Sequence, residues 1–429
     1  NGSGGGTITV TGSPTLGHRR LRQLQSKWTA GTSTLKIENG THAIFGNDNT
    51  YAIPHHFELD NSGNTVELDG NFTVTGNMTI RAGTLDTSSS NNRSLTVTGD
   101  ASVTGTLTGN ASAISLGSLT IESGGTYSAT SGTTTITKTS ATAGHSGQPS
   151  AIEVKSGGTF TNNDGTVLLS SSLDQDLEFD GTGNMHHLTI NKSDNDVIHS
   201  SNLTIEGDLS ITLATAHAFR PNTGSRTLTV TGDVTIVEGK VGDVTNYTGA
   251  MSFGSLTIES GGEYIATSGT TTLTGKNSSN YMLQNSGTFT HNKGTVKFEA
   301  DTSSGTWYAT SASNVEANSI QFYNLETVRT GSAGAYRFFV GGNSFYLVVL
   351  NNLTIGVNTN IHSSNGTSIL RHYGPLFNIE GQAAFDNVSD VQCGLITIGS
   401  AGVLEIDNGD QTISCTGIRN LRGSAGIQA

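Results

Sequence analysis

The chain is poor in proline, aromatic residues and charge. Of its 429 residues, 5 are proline, 6% are aromatic and 13% are charged. A disordered chain is usually richer in proline and charge, and a compact globular chain usually contains more than the 33% hydrophobic residues found here. The composition therefore favours neither class, and it is typical of a thin core that extends along a repeat axis.

Further absences restrict the partners. The net charge of −13 leaves no excess of Lys and Arg for phosphate contacts, which argues against nucleic acid. No run of about eighteen apolar residues exists, so the sequence predicts no membrane span. The two cysteines say little about the redox compartment. The chain begins at Asn1 and not at methionine, which is compatible with a mature or trimmed product.

What the chain has in abundance is internal repetition. The segment Arg93–Asp100 reappears with conservative changes as Arg226–Asp233. The segment Gly117–Gly125 likewise reappears as Gly254–Gly262. We therefore predict an N-terminal cap or docking segment over 1–27, followed by modules over 28–159, 160–288 and 289–429. The third module is diverged and carries an aromatic insertion over 326–351.

Within each module, apolar residues alternate with hydroxyl residues, as in Leu203-Thr204-Ile205. This period of two, interrupted by Gly-Asp, Gly-Asn and Ser-Gly-Gly turns, indicates short half-buried strands. Because the modules vary in length without losing their landmarks, we predict an all-β fold, a right-handed parallel β-solenoid. Tandem β-sandwich domains are the alternative. The one predicted helix begins near Ser13 and includes the basic run His18–Gln25, as a solvated cap or as a docking surface for an acidic partner.

Aromatic residues cluster in and near the insertion of the third module. Aromatic faces stack on sugars, so this cluster is either a glycan or receptor site or a loop that buries its own side chains. The candidate binding residues are Trp307, Tyr308, Tyr336, Phe338, Phe345 and Tyr346.

Carboxylates alternate along one predicted strand at Asp174, Asp176, Glu178 and Asp180. The period places all four on one face, as a solvated acidic face, a Ca²⁺ site or a catalytic set. No other cofactor is expected.

Two His-His pairs, at residues 55–56 and 186–187, resemble a repeated metal ligand set. However, the third module has Tyr323-Asn324 there, and adjacent strand residues point to opposite faces, so a structural role is favoured. Cys393 and Cys415 are spaced by about one coil, so they are expected to stack, either as a disulfide or as two buried thiols.

The phrases Asn202–Ile211, Leu228–Ile236 and Ser118–Gly125 resemble two related groups of proteins. One is the repeat stalks of bacteriophage tail and virion fibres, especially of marine phages. The other is the giant secreted β-helical adhesins of bacteria, including filamentous-haemagglutinin-like proteins. The resemblance implies a β-helical fold, an extracellular, cell-surface or virion location, and no shared catalytic residue.

The sequence therefore predicts a non-enzymatic fibre or stalk that supports attachment to a host or surface, with a glycan or receptor as partner. Self-association as a homotrimer or an end-to-end filament is expected. Two alternatives remain: a tailspike-like polysaccharide depolymerase with carboxylates on the solenoid face, and a self-assembling extracellular matrix filament.

Overall fold

The computed structural model describes residues 6–11, 31–40, 42–44, 54–139, 149–242, 247–300, 306–311, 320–330, 336–340, 346–362, 368–384, 388–405, 412–422 and 427–428. These residues form strands and turns, with no helix among them. The chain divides into two compact units, Asn1–Asp208 and Leu209–Ala429.

Eighteen strands lie in the described part of the first unit. Their bounds are β1 (Thr7–Thr11), β2 (Thr34–Glu38), β3 (His42–Ile44), β4 (His56–Leu68), β5 (Phe72–Val74), β6 (Met78–Asp86), β7 (Leu95–Val103), β8 (Thr106–Thr108), β9 (Ile114–Ile121), β10 (Thr126–Ser128), β11 (Thr133–Ile136), β12 (Ser150–Val154), β13 (Thr159–Thr161), β14 (Thr166–Leu169), β15 (Gln175–Phe179), β16 (His187–Lys192), β17 (Val197–His199) and β18 (Leu203–Ile205).

Three ladders of parallel strands build the first unit. One runs β1-β2-β4-β6-β7-β9-β12-β15-β17. The second runs β5-β7-β9-β11-β14-β16, and the third runs β3-β4-β6-β8-β10-β13. Long strands such as β7 contribute to two ladders, so the chain turns a corner inside them. Each coil therefore stacks on the previous one, which is the arrangement of a solenoid.

The second unit contains the remaining strands. Their bounds are β19 (Leu209–Leu213), β20 (Ala218–Pro221), β21 (Leu228–Val241), β22 (Met251–Ile265), β23 (Thr270–Leu273), β24 (Tyr281–Asn285), β25 (Thr288–Thr290), β26 (Thr295–Ala300), β27 (Thr306–Ser311), β28 (Gln321–Phe322), β29 (Asn324–Arg329), β30 (Tyr336–Val340), β31 (Tyr346–Val349), β32 (Asn352–Ile355), β33 (Thr359–His362), β34 (Ser368–His372), β35 (Leu376–Ile379), β36 (Gln382–Ala384), β37 (Val388–Ile398), β38 (Val403–Glu405), β39 (Thr412–Asn420) and β40 (Ile427–Gln428).

The second unit follows the same plan. One parallel ladder runs β19-β21-β22-β24-β27-β30-β33-β36-β38-β40. Another runs β21-β22-β23-β26-β29-β32-β35-β37-β39. The third side is formed by β20-β21-β22-β25 and by β28-β31-β34-β37-β39. The prediction of an all-β parallel β-solenoid is thus confirmed.

The core consists of rows of apolar side chains that stack from coil to coil. In β32, β35 and β37, Leu353, Phe377 and Ile396 are consecutive register partners, and all three are fully buried. Burying a side chain of this size contributes about 1.5–3 kcal/mol relative to leaving it exposed. Because side chains alternate along a strand, the hydroxyl residues between the apolar ones lie on the outer face.

Two buried tyrosines carry an internal partner at equivalent positions. Tyr127 Oη hydrogen-bonds with Thr134 Oγ1 at 2.6 Å, and Tyr264 Oη hydrogen-bonds with Thr271 Oγ1 at 2.7 Å. Burial raises the pKa of both phenols far above the ordinary range, which keeps them neutral. In both repeats, a Tyr–Thr hydrogen bond therefore satisfies a phenol oxygen that is buried in an apolar core.

Close approach between coils explains one repeated glycine. A Cβ added at Gly165 would collide with the carbonyl oxygen of Thr130, and one at Gly294 would collide with that of Thr267. Each glycine lies directly before a strand, Gly165 before β14 and Gly294 before β26, and each strand pairs with the preceding coil. Only glycine lets the backbone pass this close to another backbone.

The predicted module boundaries remain a prediction, since the division into compact units falls at residue 208, inside the predicted second module. The predicted insertion over 326–351 contributes strands β30 and β31, which pair in register with their neighbours. The predicted helix near Ser13 and the basic run His18–Gln25 lie outside the described residues.

We expect Phe377→Ala to lower the free energy of unfolding by about 3–5 kcal/mol, because it leaves a cavity in a stacked row. The matched control is Leu376→Ala, one residue earlier on the same strand, where the side chain is 39% exposed. Its cost should stay near 0.5 kcal/mol, as for most surface positions. Urea unfolding followed by circular dichroism measures both values. Equal losses of unfolding free energy in the two variants would contradict the assignment of Phe377 to the buried face of β35 and of Leu376 to the exposed face.

Candidate functional site

The acidic stretch lies at β15, but its four carboxylates do not share one exposed row. Asp176 and Glu178 lie within the strand and are 1% and 2% exposed. Asp174 and Asp180 flank the strand and are exposed. Asp176 and Glu178 are two residues apart within the strand and lie on one face of it, whereas Asp174 and Asp180 lie outside the strand. Burial then separates the inner pair from the outer pair.

Asp176 is held by the next coil. Its two carboxylate oxygens lie 2.8 and 2.7 Å from Ser200 Oγ and share the single proton that this hydroxyl donates. A buried carboxylate is costly unless it receives a hydrogen bond, and Ser200 supplies one from the next coil. Asp176 therefore joins two coils.

Asp174 lies beside an internal cation. Its Oδ1 accepts a hydrogen bond from the backbone N–H of Asp196 at 3.0 Å. Nearby, the buried Lys192 Nζ donates to the carbonyl oxygens of Leu173 at 2.6 Å and Asp196 at 3.1 Å. Burial lowers the pKa of Lys192 to about 8, although Asp174, Asp196 and Asp194 favour its charged form. The ammonium group of Lys192 thus lies beside Asp174, the first residue of the predicted Ca²⁺ site.

The described residues contain no group of three or more His, Cys, Asp or Glu side chains placed to hold a metal ion. The Ca²⁺ site considered at residues 174–180 accordingly gains no ligand set in this part of the chain.

One carboxylate pair was not foreseen from the sequence. Glu153 of β12 and Glu178 of β15 are register partners on neighbouring strands, and both are buried. Parallel strands are about 4.8 Å apart, so the two residues occupy adjacent places in one row. In the sequence, Glu153 and Glu178 are related only by a spacing of about one coil. Such a spacing predicts a contact only when the register between the strands is known.

The histidine pairs have a structural role. The Nδ1 atom of His56 accepts a hydrogen bond from the backbone N–H of Asn77 at 3.0 Å. In the next module, Nδ1 of His187 accepts one from the N–H of Asp208 at 2.9 Å. Since a backbone N–H can only donate, each Nδ1 must be unprotonated, and its lone pair is not available to a metal ion.

The third module performs the same task with asparagine. Asn324 Oδ1 accepts a hydrogen bond from the backbone N–H of Asn352 at 3.2 Å. Where the acceptor is histidine, the following coil needs glycine: a Cβ at Gly76 would lie 2.8 Å from the His56 ring. Where the acceptor is the smaller Asn324, the corresponding residue is Asn351, whose side chain donates to Asn324 Oδ1 at 2.8 Å. Acceptor and facing residue change together.

The aromatic candidates occupy two register rows. Trp307 and Phe338 are partners, and Phe338 pairs next with the buried Ile361. Tyr308 lies in the alternate row, between Tyr281 and Phe339.

Of the other aromatic candidates, Tyr336 begins β30 opposite the buried Thr359, and Tyr346 begins β31 and is half-buried. Phe345 lies outside the described residues. The six candidates therefore do not form one row.

Cys393 and Cys415 are register partners on β37 and β39, as the spacing predicted. Both thiols are free. Burial, followed by the neighbouring Cys415, raises the pKa of Cys393 to about 12, so this thiol is protonated at neutral pH and a poor nucleophile. The thiol of Cys393 is buried, whereas that of Cys415 is only half-buried.

The chain matches no family model, no curated protein and no solved structure. Among the described residues, no helix has both the length and the apolar character needed to cross a bilayer.

We expect the His56 contact to depend on pH. Burial and then the neighbouring His55 ring lower the pKa of His56 below its ordinary value. A group with a lowered pKa in the folded state contributes stability that is present above its ordinary pKa and is lost as the pH falls through the folded pKa. Protonation of Nδ1 removes the acceptor for Asn77, at a cost of about 0.5–1.5 kcal/mol.

The measurement compares urea unfolding at pH 8 and pH 5 for the wild type and His56→Asn. Asparagine keeps an acceptor that does not titrate, as Asn324 does in the third module. The wild type should therefore lose more stability than His56→Asn between the two pH values. His56→Leu is the control, and its free energy of unfolding at pH 8 should be lower than that of the wild type. An identical pH dependence in the wild type and His56→Asn would refute the assigned role.

Proposed function

We propose that this chain is a non-enzymatic structural protein, a fibre or stalk of stacked β-coils that supports attachment to a host or surface. One observation carries the proposal. At matching turns, His56, His187 and Asn324 each use their polar atom to hold the backbone of the next coil. Side chains that could otherwise bind a metal ion or take part in catalysis instead hold successive coils together, as the stability of a long repeat requires.

The acidic stretch supports the same proposal. Both carboxylate oxygens of Asp176 share the one proton that the Ser200 hydroxyl donates from the following coil. Asp174 accepts a backbone N–H from the following turn. A catalytic carboxylate must reach its substrate, whereas these groups serve the contact between coils.

The alternative, a polysaccharide depolymerase, is favoured by one feature only. Glu153 and Glu178 form a carboxylate pair on adjacent strands, and retaining glycosidases place two carboxyl groups about 5–5.5 Å apart. Against this reading, both residues are buried. A sugar ring between them would need an opening in the wall of the unit.

A turnover assay separates the two functions. We expect no new reducing ends or unsaturated products when the purified chain is incubated with capsular and algal polysaccharides. Glu178→Gln serves as the matched variant, because it keeps the shape of the side chain and removes its charge. Turnover by the wild type that is lost in Glu178→Gln would replace the structural proposal with the enzymatic one.

We place the fibre outside the cell, on a cell surface or on a virion, and we propose a glycan as the attachment partner. The support is the row that contains Tyr281, Tyr308 and Phe339 on three consecutive strands of one ladder. Strands in a ladder are about 4.8 Å apart, so the backbone positions of these three aromatic residues follow one another at a regular spacing. Sugar rings stack on aromatic faces.

For a glycan that binds the wild type on an array, Tyr281→Ala combined with Tyr308→Ala should weaken binding about tenfold, because each aromatic contact contributes about 0.5–1.5 kcal/mol. The control is Tyr373→Ala, which removes an exposed tyrosine outside this region. Unchanged affinity in the double variant, or an equal loss in the control, would exclude this attachment site.

A further inference from the structure

One outer row of the first unit consists of threonine alone. On the third ladder, six consecutive coils carry threonine at the same register position, and we call these residues the threonine row. They are Thr65, Thr84, Thr106, Thr126, Thr159 and Thr182. The first and the last are exposed, and the four between them are half-buried. The residue after each of the first five is buried in the core, so these threonines lie on the outer face.

A second row runs beside the threonine row. In β8, β10 and β13 it consists of Thr108, Ser128 and Thr161, which are also register partners. In β4 and β6 the corresponding residues are Glu67 and Asp86. Residues two apart in a strand share a face and are about 6.6 Å apart, and neighbouring strands are about 4.8 Å apart. Strands β8, β10 and β13 therefore carry a grid of hydroxyl residues with two regular spacings.

The hydroxyl groups of the threonine row are available to water. None of the six forms a side-chain hydrogen bond with another described residue. Elsewhere in the same unit hydroxyl groups join coils, since Ser112 Oγ donates to Thr87 Oγ1 at 2.8 Å and Ser118 Oγ donates to Asp100 Oδ1 at 2.9 Å. The side chains of the threonine row do not serve this purpose.

Glycine borders the threonine row on one side. A glycine directly precedes five of the six threonines. A Cβ added at Gly105 would lie 2.5 Å from the carbonyl oxygen of Gly83, and one at Gly125 would lie 2.0 Å from that of Val103. Because these positions exclude a side chain, the border consists of backbone, and a flat surface can approach the threonines.

The fold does not require threonine at this position. Thr126 follows the segment Gly117–Gly125, and Glu263 follows its repeat, Gly254–Gly262. Glu263 is the register partner of Lys240, and Lys240 Nζ lies 3.3 Å from Glu263 Oε2. The second unit therefore has an ion pair between coils where the first unit has unpaired hydroxyl groups.

We propose that the threonine row and the adjoining grid bind the surface of ice. An ice crystal is uncharged and presents O–H donors and oxygen acceptors at fixed distances. On its prism faces these distances are similar to the spacings of about 4.8 and 6.6 Å in the grid. A threonine hydroxyl can replace a water molecule of the outermost layer, and its methyl group fills the space between neighbouring water molecules. Each contact is weak, and a rigid, preorganised array lets them add up.

Binding to ice goes beyond the glycan contact proposed above and does not depend on it. The aromatic row with Tyr281, Tyr308 and Phe339 belongs to the second unit, whereas the threonine row belongs to the first. Ice would be a second surface to which the proposed fibre attaches.

The test uses the full chain and a slowly growing ice crystal, which excludes solutes that do not bind to it. We expect the wild type to be enriched in the ice and to lower the freezing point below the melting point. Thr106→Lys combined with Thr126→Glu transfers the Lys240–Glu263 pair to the matching register partners of the first unit. This variant should fold, because the same pair exists at this place in the second unit. It should lose both effects, because charged side chains keep their own hydration water and interrupt the grid.

The matched control is Ser115→Lys combined with Thr135→Glu. It places the same charges on two register partners of the second ladder, outside the threonine row. Enrichment in ice and the freezing-point shift should match those of the wild type. Urea unfolding of all three proteins verifies that each is folded.

Exclusion of the folded wild type from ice would overturn the proposal, whatever the variants do. An equal loss in the control would overturn the assignment to the threonine row. A wild type that is excluded from ice but sediments with crystalline cellulose would replace ice by a polysaccharide surface. None of these outcomes bears on the turnover assay, so failure of ice binding and failure of the structural role are distinguishable.

Discussion

The parallel hydrogen-bonded ladder between successive coils is the constraint on which the rest of the structure depends. A parallel ladder places each residue directly above its register partner, so a side chain meets the same kind of neighbour in every coil. Leu353, Phe377 and Ile396 form a continuous apolar row for this reason. A slip of one residue would turn every such side chain outward, which is why apolar and hydroxyl residues alternate in strands such as β5, β18 and β19.

The same constraint decides how polar groups are used at the corners. Where a strand ends, the backbone of the next coil passes close by and needs an acceptor. His56 and His187 supply it through Nδ1, and Asn324 supplies it through Oδ1. The size of the acceptor then dictates the facing residue, glycine opposite histidine and Asn351 opposite asparagine. The histidine pairs resemble a metal ligand set, but His56 and His187 accept backbone hydrogen bonds and pack against a facing glycine.

Charge inside the wall is balanced locally. Asp176 accepts the hydroxyl proton of Ser200 between its two oxygens, and Lys192 donates to two carbonyl oxygens beside three aspartates. Isolated charges would be costly there, because the medium is poorly polarisable. The contacts of Ser200 with Asp176 and of Lys192 with Leu173 join residues about one coil apart, so these charged groups add to the cohesion between coils.

The sequence by itself determined the class of fold, because its period of two and its repeated turns suit stacked parallel strands. It also determined the stacking of Cys393 on Cys415, since their spacing equals about one coil. It did not determine that Asp176 and Glu178 are buried, that Glu153 lies beside Glu178, or that Lys192 occupies the acidic region. Those facts depend on which residues of neighbouring coils meet. Periodicity gives the phase of a residue within its strand, whereas register and coverage arise only when the coils stack.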